Sequence, residues 1–299
     1  MDTASLKTFL AIAETASFST AAERLHLTQP AVSKRIQALE SELGTRLFDR
    51  IGRQTLLTPA GEIFHLRAQT ILQQLEDTQR EISNLSGEVS GLLRIGTSHH
   101  IGLHHLPPIL KQLNQQYPDL TLDIHFMDSE AAYHGVLTGK LELGIITIPV
   151  TSNPELNTRV VWRDPLEFLV GKTHALAKTL ASKPRSKNGI SPNELAQHNA
   201  ILPSKNTYTR QILETAFRGV NCEIKTTLST NYLETIKMMV SVGLGWSLLP
   251  RSMLGSDLMV LKVPRMQLQR NLGIVWHRKR TLSNAATVMM DLLEASRIP

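Results

Sequence analysis

His99, His100, His104 and His105 form a cluster of potential metal ligands within a short stretch of the sequence. His100 and His104 are four residues apart, so on a helix they would share one face, as zinc ligands can. No carboxylate or thiol lies near them in sequence, and the single cysteine, Cys222, is distant. We therefore expect no metal and no cofactor, with some histidines facing a cleft and others the solvent. The sequence leaves a metal site open as the alternative.

The stretch Gly96-Thr-Ser-His-His-Ile-Gly102 brings hydroxyl and imidazole groups together behind a predicted buried strand and beside a helix N-terminus. Backbone N–H groups at such a terminus bind small anions. The 210 residues after position 89 carry a net charge of +8, which weakly favours an anionic ligand. We predict that this stretch binds a small anionic metabolite, such as a carboxylate or a sulfur oxyanion.

Motifs typical of enzymes are weak in this sequence. Gly243-Leu-Gly245 lacks the third glycine of a dinucleotide-binding loop, and the residues after it predict a strand. No Ser/His/Asp order, pair of glycosidase carboxylates or Walker loop stands out. We therefore predict that the protein is not an enzyme.

Residues 18–37 predict a short helix, a tight turn and a second, longer helix. Ser19 is the expected N-cap of the first helix, in which Ala21 and Ala22 would let another helix cross closely. Residues 26–27 would form the turn. A further helix over residues 5–16 would pack beneath this pair.

Thr28 is the expected N-cap of the longer helix, which would have Pro30 in its first turn and end at Gly44. Its apolar residues recur at steps of 4, 3 and 4 and predict a buried stripe of Val32, Ile36, Leu39 and Leu43. The outward face would carry Pro30, Ser33, Lys34 and Gln37, which suits a helix that reads the major groove of DNA. From the pattern alone, an ordinary helical hairpin with a solvated face fits equally well.

Residues 47–58 predict a small β-hairpin around Gly52, with Arg50 and Arg53 flanking its tip. A basic hairpin that follows a recognition helix can contact the DNA backbone or the minor groove as a wing. A solvated loop with incidental charges is the weaker alternative.

The charge distribution limits how DNA could be bound. Residues 1–89 hold 9 Lys+Arg against 11 Asp+Glu, a net charge of −2, so the overall charge of +6 is a poor argument for DNA binding. Between Arg24 and Arg67, however, seven basic residues stand against four acidic ones. Affinity for phosphates would rest on a few well-placed side chains.

Thr58-Pro-Ala-Gly predicts the start of a long helix that reaches about Leu85. Its apolar positions alternate at steps of 4 and 3, which is typical of a coiled-coil seam. We predict dimerisation through this helix; the alternative is a helix lying on its own domain. The seam consists of Phe64, Ala68, Ile71, Leu75, Thr78, Ile82 and Leu85. A short hinge over residues 86–91 would follow.

From Leu92 onwards the pattern alternates between strands and helices, which predicts an α/β domain whose roughly 200 residues could form two doubly wound lobes. Ligands of such folds bind at the carboxyl ends of strands. The predicted strands cover residues 92–96, 120–126, 143–148, 166–170, 200–203, 246–249 and 272–276, and the helices cover 104–116, 129–138, 206–218 and 231–241.

Length and composition fit a soluble protein of two or three domains. The chain has 299 residues, of which 41% are hydrophobic and 19% charged. The N-terminus lacks the pattern of an export signal, and no apolar run approaches the length of a membrane span. A single cysteine fits a reducing cytoplasm. We expect a cytoplasmic protein with no membrane partner.

The first 60 or so residues resemble the winged helix-turn-helix of LysR-type transcriptional regulators. The resemblance lies in Phe18-Ser-x-Ala-Ala-x-x-Leu, Thr28-Gln-Pro-Ala-Val-Ser, Ile36-x-x-Leu-Glu, Leu43-Gly-x-x-Leu-Phe-x-Arg50 and Leu57-Thr-x-x-Gly61. The rest of the chain matches more loosely, through Leu106-Pro, Leu137-x-x-Gly-x-Leu-Glu-Leu-Gly-Ile and Val242-Gly-Leu-Gly-Trp-Ser-Leu-Leu-Pro250. The implied fold is a mainly α winged helix-turn-helix, a long linker helix and a two-lobed α/β effector domain like a periplasmic binding protein.

The resemblance implies domain boundaries and site residues. The DNA-binding domain would cover 1–58, the linker helix and hinge 59–90, and the effector domain 91–299. Lobe I would comprise 91–162 and 267–299, and lobe II 163–266. The implied DNA-binding residues are Thr28, Gln29, Pro30, Ser33, Lys34, Arg35, Arg50 and Arg53, and the implied cleft residues are Thr97, Ser98, His99, His100, Thr147, Pro203, Ser204, Gly243 and Gly245.

The function implied by the resemblance is sequence-specific binding of double-stranded promoter DNA, modulated by a small effector. The Thr-Ser-His run resembles the cleft of the family's sulfur-assimilation regulators, although Ile101 is apolar where those offer a polar side chain. Homodimers that pair into a homotetramer, and RNA polymerase as a partner, follow from the same resemblance. The alternatives are a DNA-binding architectural protein or a solute-binding protein, both without an effector response.

Overall fold

The structure is a computed structural model that describes residues 1–51, 54–182 and 189–297; the side chains of residues 50, 51, 54 and 180–182 are outside the description. The chain forms two compact units, Met1–Ser86 and Gly87–Pro299. No helix in the described part of the chain is long and apolar enough to cross a membrane.

The first unit is built from helices and one small hairpin. Its elements are α1 Thr3–Thr15, α2 Phe18–Arg24, α3 Gln29–Leu43, β1 Phe48–Ile51, β2 Gln54–Leu57 and α4 Pro59–Asn84. β1 and β2 pair in antiparallel register, Phe48 opposite Leu57, as predicted for the wing.

Caps fix where these helices begin and end. Thr28 caps α3 by accepting a hydrogen bond from the Ala31 N–H, and Gly44 ends α3 at a φ of 66°, a left-handed conformation that suits glycine. The predicted cap Ser19 is wrong, because α2 begins two residues earlier and Ser17 accepts the capping bond from Thr20. The predicted stripe is also one residue too long: Leu43 is 40% exposed at the end of α3.

An aromatic cluster fills the core of the first unit. The Phe9 ring lies 5.0 Å from the ring of Phe48 and 4.8 Å from that of Phe64, which brings α1, β1 and α4 together. Ala21 and Ala22 are buried where α2 meets its neighbours, so the small side chains allow the close crossing that was predicted.

The second unit is a mixed sheet flanked by helices. Its strands are β3 Gly91–Thr97, β4 Leu120–Phe126, β5 Leu143–Thr147, β6 Leu156–Gly171, β7 Ala200–Leu202, β8 Thr226–Ser229, β9 Trp246–Pro250, β10 Leu258–Leu261 and β11 Leu268–His277. Its helices are α5 His99–His104, α6 Pro107–Gln116, α7 Ser129–Leu137, α8 Ala175–Ser182, α9 Pro192–Ala196, α10 Tyr208–Arg218, α11 Leu233–Ser241 and α12 Asn284–Ala295.

The long strands β6 and β11 run through the middle of this sheet. The strand order is β4-β3-β5-β11-β6-β9-β7-β8, with β10 paired to β6. Two separate hydrophobic cores are built on these strands, one for each lobe. One core includes Trp162, and the other includes Leu166 and Met266. The chain therefore passes from one lobe to the other along β6 and returns by β11.

Differences from the predicted elements have local causes. The predicted helix over 104–116 begins later, at Pro107, as α6; the proline cannot continue α5, which ends at His104. β6 is 16 residues long, and the sequence pattern predicted only its apolar end at 166–170. The predicted fold class is confirmed.

Candidate functional site

The amino-terminal end of α3 presents a polar face. Gln29, Pro30 and Lys34 are exposed, and Ser33 is half-buried. The Gln29 side-chain amide donates a hydrogen bond of 2.9 Å to the Ser33 hydroxyl. Since these two side chains are four residues apart, they lie on one face of the helix and form a paired donor and acceptor surface.

Arg35 lies on a different side of α3 from this face. Its guanidinium donates to the Thr8 hydroxyl at 3.2 Å, and Thr8 is fully buried on α1. The structure therefore places Arg35 in the packing between α1 and α3, where it positions the helix.

The base of the wing is fastened to the end of α3. The Glu40 carboxylate accepts hydrogen bonds from the backbone N–H groups of Leu47, at 2.7 Å, and Phe48, at 3.3 Å. Arg50 lies on β1, but its side chain is not described, and Arg53 falls outside the described residues. Their roles in the wing remain predictions.

The predicted seam along α4 is divided between two environments. Ala68 is fully buried in the core of the first unit, and Phe64 packs against the same core. The remaining positions form an exposed stripe, and they are Ile71, Leu75, Thr78, Ile82 and Leu85.

A cleft lies between the two lobes of the second unit, where parallel strands end. Ser98 follows β3, Thr147 ends β5 and Pro203 follows β7. The predicted residues that line this cleft are Ser98, His99, His100, Thr147 and Pro203. The cleft has a volume of about 50 Å³, which suits a ligand of a few non-hydrogen atoms.

Four predicted cleft residues do not line the cleft. Thr97 is fully buried and donates its hydroxyl hydrogen bond to the Ile145 carbonyl, which joins β3 to β5. Ser204 is held through its backbone N–H by Asn231 and is not part of the lining.

The placement of Gly243 and Gly245 in the cleft is wrong. β7 and β9 are parallel, with Ala200 opposite Trp246, so the 243–245 turn lies at the amino-terminal end of β9. Pro203 and the cleft lie at the opposite end of these strands. Parallel register, which the local sequence does not specify, decides this position.

Arg270 is the main cleft residue that sequence reasoning missed. It is 5% exposed on β11, donates to the Asp164 carboxylate at 2.7 Å and to the Thr209 hydroxyl at 3.1 Å, and its Nη2 has no partner in the described residues. The predicted strand over 272–276 begins two residues after Arg270, so the local sequence gave no signal for this residue. The other missed lining residues are Met127, Asp128, Ser129, Glu130, Thr207, Thr209, Asn231 and Leu233.

His100 lies deep in this cleft as a neutral imidazole. It is 3% exposed, and its Nε2 is 4.0 Å from the Asp164 carboxylate. Burial, followed by the positive charge of Arg270, lowers the pKa of His100 to about 2. Neither ring nitrogen has a hydrogen-bond partner in the described part of the chain.

Two acidic side chains of lobe I hold lobe II across the cleft. Glu130 accepts a hydrogen bond from the Tyr208 N–H, and Asp128 accepts one of 2.6 Å from the Asn231 amide. Burial raises the pKa of Glu130, and it raises that of the Tyr208 phenol to about 12. The cleft therefore combines one guanidinium with hydroxyls and two hydrogen-bonded carboxyl groups.

At the outer edge of the cleft, α5 meets α11. The His104 Nε2 lies 3.1 Å from a carboxylate oxygen of Glu234, and the His100 and His104 ring centroids are 4.7 Å apart. These three side chains could hold a metal ion.

Family models match nearly the whole chain. The model of the bacterial regulatory helix-turn-helix protein, lysR family, matches residues 3–62. The LysR substrate binding domain matches residues 86–297. The first match contains α1 to α3 and the wing, and the second contains both lobes and the cleft.

Individual transcriptional regulators are also similar to this chain in sequence and in structure. An HTH-type transcriptional regulator in the ibpB-leuC intergenic region of Azotobacter vinelandii is 65% identical over 36% of this chain and 75% of its own length. The HTH-type transcriptional regulator CysL of Bacillus subtilis is 30% identical over 90% of this chain and 89% of its own. A full-length OxyR variant from Pseudomonas aeruginosa superposes with a TM-score of 0.71 at 26% identity, covering 98% of this chain and 94% of that one.

The helix-turn-helix match covers the polar face of α3 and the hairpin, and the substrate-binding-domain match covers the two-lobed cleft. The chain belongs to the LysR family of transcriptional regulators, with an N-terminal DNA-binding helix-turn-helix and a C-terminal effector-binding domain.

Proposed function

We propose that this regulator reads promoter DNA through the outward face of α3 and responds to a small organic anion bound between the lobes. Base contacts would come from Gln29 and Ser33, and phosphate contacts from Lys34. The exposure of Gln29 and Lys34 at a capped helix end, with Ser33 bonded to Gln29 on the same face, supports the assignment.

The observation that carries the effector proposal is Arg270. Its Nη2 is a buried donor without a partner in the described residues, and a carboxylate is the group that a guanidinium binds best. Hydroxyls of Ser98, Ser129 and Thr209 line the same cavity and would donate to the remaining anion oxygens.

The charges around Arg270 restrict the ligand further. Asp164 already neutralises much of the guanidinium charge, and Asp128 and Glu130 line the same cavity. A second negative charge on the ligand would meet these carboxyl groups, whereas an N–H or O–H donor would be stabilised by them. The proposed effector is therefore a small monocarboxylate with a hydrogen-bond donor.

The proposed assembly is a dimer through the exposed stripe of α4, from Ile71 to Leu85. Steps of 4 and 3 between apolar positions suit a two-helix seam. Two such dimers would form the tetramer that bends promoter DNA, with RNA polymerase as its partner in the cytoplasm. No catalytic reaction and no cofactor form part of this proposal.

Footprinting tests the regulatory function. The full-length protein would be added to the DNA upstream of its own gene, with and without small monocarboxylates. We expect protection of one discrete site and a change in its extent when the effector is present. Uniform protection of any DNA would instead indicate an architectural protein.

Calorimetry tests the effector class. The full-length protein would be titrated with acetate, lactate, glycine, malonate and sulfite. Binding is expected for a monocarboxylate, and Ser98→Ala should weaken it. Tighter binding of malonate than of any monocarboxylate, or unchanged binding in Ser98→Ala, would contradict the proposal.

A further inference from the structure

Side chains from both lobes converge beside the cleft. His100 and His104 lie on α5 of lobe I, and Glu234 lies in the first turn of α11 in lobe II. One potential ligand atom from each of the three lies within 4.8 Å of the others. Because 130 residues separate His104 from Glu234, the sequence gives no sign of this meeting.

The three groups are a recognised ligand set for transition metals. Two imidazoles with one carboxylate bind Zn²⁺ and leave a fourth position for water or another ligand. The spacing of four residues places both imidazoles on one face of a helix, as paired zinc ligands require. Hard cations such as Mg²⁺ or Ca²⁺ would prefer oxygen ligands.

His100 supplies a second, independent observation. Its side chain is almost completely buried, yet neither ring nitrogen has a hydrogen-bond partner in the described part of the chain. A buried polar group without a partner costs stability unless something else satisfies it. Its ring packs beside that of His104, so it lies within reach of the same ion.

We propose that His100, His104 and Glu234 bind one divalent transition-metal ion of the Zn²⁺ class, which joins the two lobes. Ligand atoms around tetrahedral Zn²⁺ are about 3.3 Å apart, given bonds of about 2.0 Å. His104 and Glu234 already meet that distance, at 3.1 Å. Both side chains are more than a third exposed, so rotamer changes can bring them towards His100.

This site goes beyond the proposed anion recognition and is tested with metal alone. The ion would join the lobes through Glu234, whereas the anion would bind the guanidinium of Arg270. The expectation of no metal from the sequence rested on the lack of a nearby carboxylate, and Glu234 removes that reason. If no metal binds, the anion proposal is unaffected. If no anion binds, the metal proposal is unaffected.

Cobalt absorption provides a direct measurement. The full-length protein, without a histidine tag, would be titrated with Co²⁺, whose visible spectrum reports tetrahedral coordination, and the ion then displaced with Zn²⁺. We expect one Co²⁺ per chain. His104→Gln and Glu234→Gln should each raise the Kd for Co²⁺ at least about 10-fold.

His125→Gln is the matched control, because His125 forms a comparable exposed pair with Asp123 at 3.0 Å. Its Kd for Co²⁺ should equal that of the wild type. Absence of a tetrahedral spectrum, unchanged binding in Glu234→Gln, or an equal loss in His125→Gln would overturn the proposal. Far-UV circular dichroism would verify that each variant is folded.

Discussion

Ser33 and Lys34 are neighbours on α3, but a hydroxyl and an ammonium act on DNA in different ways. The Ser33 hydroxyl is already bonded to Gln29, so the two side chains present a fixed pattern of donors and acceptors. Lys34 is exposed and carries a charge that any phosphate attracts. Base choice and general affinity should therefore separate by residue.

Substitutions on α3 test this separation. Ser33→Ala or Gln29→Ala should relax sequence choice by ~1–3 kcal/mol for each lost base contact, while Lys34→Ala should weaken binding to all sequences and reduce the salt slope by about 1. Binding isotherms on specific and random DNA at several salt concentrations would measure both. Arg35→Ala is the control, since Arg35 bonds to Thr8 and should change stability instead. A specificity change in Arg35→Ala would place that side chain in the groove.

Glu130 makes effector binding depend on pH. Burial raises the pKa of Glu130, so its carboxyl keeps the proton to a higher pH than usual, and ionisation as pH rises adds a negative charge to the cleft. Affinity for an anion should rise as pH falls through the raised pKa. Calorimetry at a series of pH values would follow the Kd, and Glu130→Gln should bind at least as tightly with a flatter profile. An unchanged profile in Glu130→Gln would assign the dependence to another group.

At the scale of elements, α4 serves two packing surfaces in succession. Its first turns complete the core of the first unit through Phe64 and Ala68, while the stripe from Ile71 onwards is exposed. Both reside on one continuous face of the helix because the steps of 4 and 3 never break. The part of the stripe that its own unit leaves uncovered is the part available to a second chain.

Leu75→Lys should therefore disrupt the dimer, because it places a charge in the middle of the apolar seam. Sedimentation would report a lower mass at the same protein concentration. Ser83→Lys adds the same charge at an exposed position outside the stripe and should leave the mass unchanged. If Leu75→Lys keeps the mass of the wild type, the seam lies elsewhere.

At the scale of the whole molecule, β6 and β11 connect the lobes, and one buried ion pair ties them together. Asp164 and Arg270 are opposite each other in the register of these strands, and Arg270 also reaches Thr209 on α10. Removing one member of a buried pair leaves the other charge without compensation, which costs ~3–5 kcal/mol.

Arg270→Gln alone should lower the free energy of unfolding by ~3–5 kcal/mol. The double variant that also carries Asp164→Asn should lower it less, because neither charge is then left without a partner. Urea unfolding followed by tryptophan fluorescence would measure the effect, since Trp162, Trp246 and Trp276 all lie in the second unit. Equal losses in the single and double variants would show that the pair acts only through packing.

Local patterns in the sequence were sufficient for the elements and for the family. Caps such as Thr28 and Thr58, the heptad steps of α4 and the apolar strands all depend on neighbours within a few residues. The predicted fold class and family are confirmed. Groups at strand ends, such as Ser98 and Thr147, could also be predicted from the sequence, because parallel strands end at one edge of a sheet.

Features that depend on strand register and on contacts between distant residues could not be predicted from the sequence. The parallel pairing of β7 with β9 moved Gly243 and Gly245 away from the cleft. The crossing of β6 and β11 brought Arg270 to Asp164, and closure of the lobes brought Glu234 to His104. A sequence specifies periodicity within an element, but these distances follow from how elements pack. For that reason the local sequence was enough to predict a DNA-binding regulator, whereas the chemistry of the effector cleft became visible in the fold.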